Sequence, residues 1–325
     1  MPETRRFGLL SALSFLILFT SCSNPSYFRV YSGDTVGFVN SKGKSVIPSV
    51  YQDAEDFSEG LALVVIDGKG GWIDRRGQLV IPADFPIAAR FHQGRAMAVA
   101  EEEGSAGYLD SRGNWAIEPQ WLKAGDFSQG LAAVEDAEGA AYINRRGREV
   151  FRHEFDFSGP FSQGRALVVK DGKYGFINRK GGVAVAVDYR FAQPFADGRA
   201  LVVIDDKGGF INRRGKLVIP AEYDYAASFK DGRALFVQEG KAGYLDTHGK
   251  EVIPPQYRWA GDFSEGLAPV ELEGLVGFID RKGRSAIEAR FTYAEAFHNG
   301  RALVMEGDEI SYIDRKGRVV WGAEL

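Results

Sequence analysis

Apolar residues in this chain come in short runs, each closed by a glycine-centred polar turn. The stretch from Gly209 shows the pattern. Phe210-Ile211 reads as a short strand, and Asn212-Arg213-Arg214-Gly215 as a tight turn with glycine where a positive φ is needed. Leu217-Val218-Ile219 reads as the returning strand, ended by Pro220. Tyr223 to Phe229 reads as a connector or a fourth short strand. After the turn at Asp231-Gly232, Ala234-Leu235-Phe236-Val237 is a further strand. No segment keeps a 3.6-residue period for three turns, so the pattern predicts an all-β chain without helices.

The same phrase recurs along the chain. A small residue followed by an aromatic-aliphatic pair stands at Gly37-Phe38-Val39, Gly71-Trp72-Ile73, Gly107-Tyr108-Leu109 and Ala141-Tyr142-Ile143. It continues at Gly175-Phe176-Ile177, Gly209-Phe210-Ile211, Gly243-Tyr244-Leu245, Gly277-Phe278-Ile279 and Ser311-Tyr312-Ile313. The intervals are 34, 36, then six of 34. A phenylalanine keeps the same beat at 57, 91, 127, 161, 195, 229, 263 and 297. Each is followed three residues later by Gly and two further on by Ala, as in Gly232 and Ala234. The uniform Gly suggests a special backbone angle, the uniform Ala a crowded strand face. The two extra residues fall in the acidic stretch 101–106, which reads as a loop. A β-propeller with the Gly-x-Ala strand at the crowded axis satisfies these tandem repeats of about 34 residues. An open β-solenoid is the alternative. Tyr27 to Gly33 looks like the last strand of a missing preceding copy, and Tyr312 to Trp321 like the first two strands of a ninth.

Composition adds boundaries. The 325 residues hold 40 Lys plus Arg against 44 Asp plus Glu, a formal charge of −4, so a nucleic-acid partner is not expected. One cysteine excludes a disulfide framework and a multi-cysteine metal site. That cysteine, Cys22, ends an apolar run from Phe7 to Phe19 that begins behind Arg5 and Arg6. The run is shorter than the roughly 20 residues a membrane span needs.

Two resemblances follow from these residues. Phe19-Thr20-Ser21-Cys22 resembles the lipobox of bacterial lipoproteins, although the first position is more often Leu. That likeness implies a signal peptide over residues 1–21, lipidation of Cys22 and a short spacer over 22–26. Ser23 follows, with no aspartate, which by the same likeness implies an outer-membrane location in the cell envelope. Lys173-Tyr174-Gly175-Phe176-Ile177-Asn178 and Phe57-Ser58-Glu59-Gly60-Leu61-Ala62 resemble the WG, or KWG, repeats of bacteria. Residues 27–325 then form a single repeat domain of eight full copies plus partial terminal ones. The Trp of the motif's name is mostly absent here, and the copies at 141 and 311 lose the glycine. The resemblance implies a scaffold more than an activity.

Candidate chemistry is sparse. His92 and His298 share a repeat position that reads as a tolerated turn, and neither they nor His153 and His248 suggest a metal site. Asx residues such as Asp74, Asn144, Asn178, Asn212 and Asp280 read as turn formers bonding the backbone two residues on. No catalytic motif is visible, so neither an enzyme nor a cofactor is expected. After the Asx position come basic pairs: Arg75-Arg76, Arg145-Arg146, Arg179-Lys180, Arg213-Arg214, Arg281-Lys282 and Arg315-Lys316. Lys42 and Arg112 extend the second column, and Arg95, Arg165, Arg199, Arg233 and Arg301 form another after the repeated Gly. Equivalent turns share one side, so these make a basic arc suited to an acidic partner, an envelope protein or an anionic glycan. The expected function is a lipid-anchored, non-catalytic scaffold for protein–protein interaction. A glycan- or cell-wall-binding module is the alternative, and the test is whether aromatic rings are exposed.

Overall fold

The computed structural model describes residues 27–101 and 104–323. The expected signal peptide over 1–21 and the expected lipidated Cys22 with its spacer over 22–26 lie outside the described residues. Nine antiparallel sheets follow one another along the chain as the blades of a β-propeller. Seven have four strands and two have three. Blade 2 shows the plan: Asp53–Ala54, Leu61–Ile66, Lys69–Asp74 and Leu79–Phe85, paired in sequence order. In blade 8 an isolated bridge, Ala260 to Val270, takes the place of the short first strand. Blade 1 has three described strands, Phe28–Ser32, Thr35–Val39 and Ser45–Tyr51.

Blades and sequence copies are out of phase. Each copy contributes the third and fourth strands of one blade, then the first two of the next. The half-copies at the two ends therefore complete blades 1 and 9. Most fourth strands are linked to the next first strand by one residue, such as Gln52, and blades 4 and 5 by three, 154–156.

The Gly-x-Ala strand is not at the axis. It is the second strand, and the short first strand lies nearest the centre at the end bearing the Glu59-Gly60 turn. There the residue after the repeated Phe reaches the repeated Phe of the next blade: Ser58 Oγ donates to Phe91 O at 2.6 Å, Ser128 Oγ to Phe161 O at 2.6 Å and Ser162 Oγ to Phe195 O at 2.7 Å. Such contact between nearly equivalent positions requires the blades to have converged. Two-residue strands carry no periodicity, which is why the pattern leaves 223–229 open between a connector and a fourth short strand; the strand there is Tyr225–Ala226. Ala62 and its equivalents are crowded instead by neighbouring blades, being at most 1 % exposed in all eight copies.

Each seam between blades is closed by a ring pair. The third-strand aromatic packs on the Phe of the next blade: Phe38 on Phe57, Tyr108 on Phe127, Phe210 on Phe229 and Phe278 on Phe297, at 4.8–5.0 Å between centroids. The ninth seam joins the two ends of the chain. There the repeat position of Phe57 would be Ser23, and that of Ala62 is Phe28. Phe28 lies 5.5 Å from Tyr312, and the Tyr312 hydroxyl donates to Arg29 O at 2.9 Å. A large residue at the Ala position thus replaces the ring lost at the Phe position, and the propeller closes.

Candidate functional site

Every blade is an up-and-down meander. Turns between strands one and two and between strands three and four therefore lie at one end of the ring. Turns between strands two and three, and the links between blades, lie at the other. The sequence assigns opposite charge to these ends.

At the first end stand nine Asx-x-x-Gly-x turns, from Asn40 to Asp314. The Asx oxygen accepts the N–H two residues on in all nine, at 2.8–2.9 Å. The glycine follows in the left-handed region, as Gly77 does at φ 77°. These turns carry 20 of the chain's 40 Lys and Arg against five Asp.

The two basic columns behave differently. First-column residues lock blades together: Arg179 Nη1 donates to Gln129 O at 2.5 Å, Arg315 Nη2 to Glu265 O at 2.7 Å, and Arg281 pairs with Asp231. Their carbonyls in turn receive the arginines that follow the repeated Gly. Arg165 Nε donates to Arg213 O at 3.1 Å, and Arg199 Nε to Thr247 O at 2.9 Å. Arg301 donates to Ser41 O, its repeat equivalent across the closing seam. The column at 95, 165, 199, 233 and 301 is thus a clamp between blades. Repetition of these arginines reflects blade docking.

The second column is the free one. Lys42, Arg76, Arg112, Arg146, Lys180, Arg214, Lys282 and Lys316 are exposed, with His248 in the remaining blade. Among the described residues these eight Lys and Arg side chains make no hydrogen bond or ion pair, whereas His248 Nδ1 stands 4.0 Å from Asp246 Oδ1. These eight cations stand on eight of the nine blades, with His248 on the other, where the sequence indicated an arc. A groove of about 370 Å³ opens between blades 8 and 9 on this face, bordered by Glu265, Asp280, Arg281, Lys282, Arg284 and Arg315. The Arg284 hydrogen bond and two turn N–H donors hold the Asp280 carboxyl below its ordinary range.

The opposite end is acidic. Its strand-two-to-three turns carry 13 Asp and Glu among the described residues against five Lys. The insertion after Ala100 falls in one of them. All six exposed aromatic residues among those described also lie at this end: Tyr31, Phe157, Phe191, Tyr225, Trp259 and Tyr293.

His92 is not a tolerated turn residue. It is 5 % exposed, and its Nε2 lies 3.3 Å from Asp126 Oδ2 of the next blade. Burial holds the imidazole below its ordinary pKa and the carboxyl above its own. At the closing seam, Arg29, Asp56, Glu295, His298, Arg301 and Tyr312 border a cavity of about 180 Å³. Arg29 Nε donates to Asp56 Oδ1 at 3.1 Å, and His298 Nε2 stands 3.7 Å from Asp56 Oδ2. Sequence reasoning missed this group; the copy-specific Arg29 was its one signal. No cluster of three or more His, Cys, Asp or Glu that could hold a metal occurs among the described residues. No helix there is long and apolar enough to cross a membrane.

Fold and surface define a class: a nine-bladed propeller with one basic and one acidic, aromatic face. The chain belongs to the WG-containing repeat family, whose model matches eight segments: 37–69, 71–104, 107–136, 141–174, 174–207, 209–241, 243–275 and 277–309. No curated protein matches it. Among solved structures it is similar to a eukaryotic initiation factor, at 12 % identity and TM-score 0.66, covering 93 % of this chain and 96 % of that one. Hsv2 of Kluyveromyces lactis matches at 8 % identity and TM-score 0.40, covering 68 % and 89 %. The dihydro-heme d1 dehydrogenase NirN matches at 14 % identity and TM-score 0.46, covering 85 % and 75 %. At these identities the likeness concerns the fold alone.

Proposed function

We propose that the protein is a non-catalytic interaction scaffold of a bacterial cell envelope, held at the outer membrane by lipid on Cys22. Its basic face receives a protein partner with an acidic surface. One observation carries this reading. Eight Lys and Arg side chains, one on each of eight blades, stand exposed without an internal partner on a rigid closed ring. A lone surface cation is worth little, but a same-sign ring focuses potential and speeds encounter with an acidic partner. The lipobox-like Phe19 to Cys22 supports the anchor.

Crosslinking in living cells tests the proposal. The wild type should recover a discrete acidic protein. Recovery should fall after reversing Arg146, Arg214, Lys282 and Lys316 to Glu, and a Cys22→Ala form should lose membrane association. Unchanged recovery by the charge-reversed protein would remove the basic ring from the function.

A second reading has its own observation. The strand Phe28–Ser32 occupies the second-strand position and so starts at the basic end, a few residues after Cys22. A tether there would bring the ring close to anionic headgroups. Binding of the soluble Cys22→Ala form to vesicles containing phosphatidylglycerol, and not to neutral vesicles, would favour that reading.

A further inference from the structure

The six exposed aromatic residues are not scattered. They stand on six consecutive blades of the closed ring, from blade 5 through blade 9 to blade 1. Five of them occupy one repeat position, the residue that opens the first strand or, in blade 8, precedes the Ala260 bridge: Phe157, Phe191, Tyr225, Trp259 and Tyr293. The blades outside this run put Asp53, Ile87 and Lys123 there. Tyr31 continues the run on blade 1, at the same end of the ring. Exposure is 38–56 %, so part of each side chain faces solvent. Every other aromatic among the described residues is buried or half-buried.

Packing uses only part of these rings: Phe191, for one, meets Tyr174 at 5.5 Å between centroids and stays 38 % exposed. The seams are already filled by the third-strand aromatics and the repeated Phe. Some of the rings instead lie beside glycine: a Cβ on Gly159 would come within 3.5 Å of Phe157, and one on Gly261 within 3.5 Å of Trp259. Small neighbours let a flat ring lie along the strand.

We infer that this arc is a binding track for an extended polysaccharide of neutral or amino sugars. A sugar ring offers an apolar face of C–H groups that stacks on an aromatic face, and a periodic polymer fits one aromatic per blade. Charge selects the class. The surrounding turns carry 13 acidic and five basic residues among those described, which repels polyanions and supplies acceptors for hydroxyl and ammonium groups. The track lies opposite the basic ring, so its failure would leave the protein-partner reading untouched.

The test titrates the intact protein with two soluble probes, the β-1,4-linked hexamer of N-acetylglucosamine and that of glucosamine, following tryptophan fluorescence and calorimetry. Binding of at least one probe is expected, with a change in emission that disappears in Trp259→Phe. The triple variant Tyr225→Ala, Trp259→Ala, Tyr293→Ala should weaken binding at least about tenfold, each tenfold being about 1.4 kcal/mol. Its far-ultraviolet circular dichroism at the titration temperature should match the wild type, because the three side chains lie outside the ring pairs that close the seams. Reversal of Arg146 and Arg214 should leave binding unchanged. Absence of binding to both hexamers, or equal affinity in the triple variant, overturns the inference. Aromatic-dependent binding of a polylysine peptide without binding of either sugar would also overturn it, making this a protein-docking face.

Discussion

Single residues carry the local geometry, and the internal copies act as natural substitutions. A Cβ on Gly71 would stand 2.7 Å from Ala83 Cα, and one on Gly209 2.7 Å from Ala221 Cα. The fourth strand bulges onto the third at that point, so only glycine fits. Blades 4 and 9 have Ala141 and Ser311 there, and their strand pairing runs on through that position without the second bulge. Gly209→Ala should therefore destabilise the protein by about 1–3 kcal/mol, measured by denaturant unfolding, while Ala141→Gly should not reproduce that loss. Tyrosine follows the same logic. Tyr108, Tyr142 and Tyr244 donate to the carbonyls of Gly125, Gly159 and Gly261 at 2.6–2.7 Å. The other five copies have Phe or Trp at the tyrosine position and Glu, Ala or Gln at the glycine position. Tyr244→Phe should cost about 1 kcal/mol by leaving a buried carbonyl without its donor. An unchanged unfolding midpoint would show that the bond contributes nothing.

At the level of elements, third strands and hairpin turns do the joining. Burial pushes the hydroxyls of Tyr108, Tyr142 and Tyr244 well above the ordinary tyrosine range, and that of Tyr312 up to about 12. The folded state holds these protons after the unfolded chain releases its own near pH 10, so stability should fall as pH rises from 10 towards 12. Unfolding followed by circular dichroism at increasing pH checks this, and a flat profile to pH 12 would contradict the burial. The turns were legible because Asx and Gly at fixed offsets have only one tight solution. The first strand was legible only as a connector or a short strand, since two residues have no period and their place depends on where neighbouring blades converge. The clamp arginines looked like ligand contacts for a related reason. Repetition marks any demand shared by all copies, and docking a blade is such a demand.

The whole molecule depends on one irregular seam. Eight seams repeat the same ring pair, but the ninth uses Phe28, Tyr312 and the Arg301 clamp. Phe28→Ala should cost about 3–5 kcal/mol and open the ring, which small-angle scattering would read as a larger radius of gyration. Phe195→Ala, in an interior seam, should destabilise comparably without that expansion, because the chain itself still joins blades 5 and 6. Equal radii for the two variants would mean that the terminal blades are held by something besides this seam. Charge is also a property of this scale. A net −4 conceals two faces of opposite sign, because the meander sends alternate turns to opposite ends. Association through the basic ring should weaken as salt rises, whereas sugar stacking on the aromatic arc should barely respond.

The sequence alone determined the all-β class, the repeat of about 34 residues, the turn chemistry and the even placement of basic turns, since each rests on local spacing and backbone sterics. Ring closure into nine blades, the rank of strands from the axis and the split of arginines into clamps and free cations were decided only by tertiary structure. So was the gathering of six aromatics on one face. The reason is physical. Spacing tells which residues are equivalent, but exposure depends on what the neighbouring blade covers, and that contact exists only once the ring has closed.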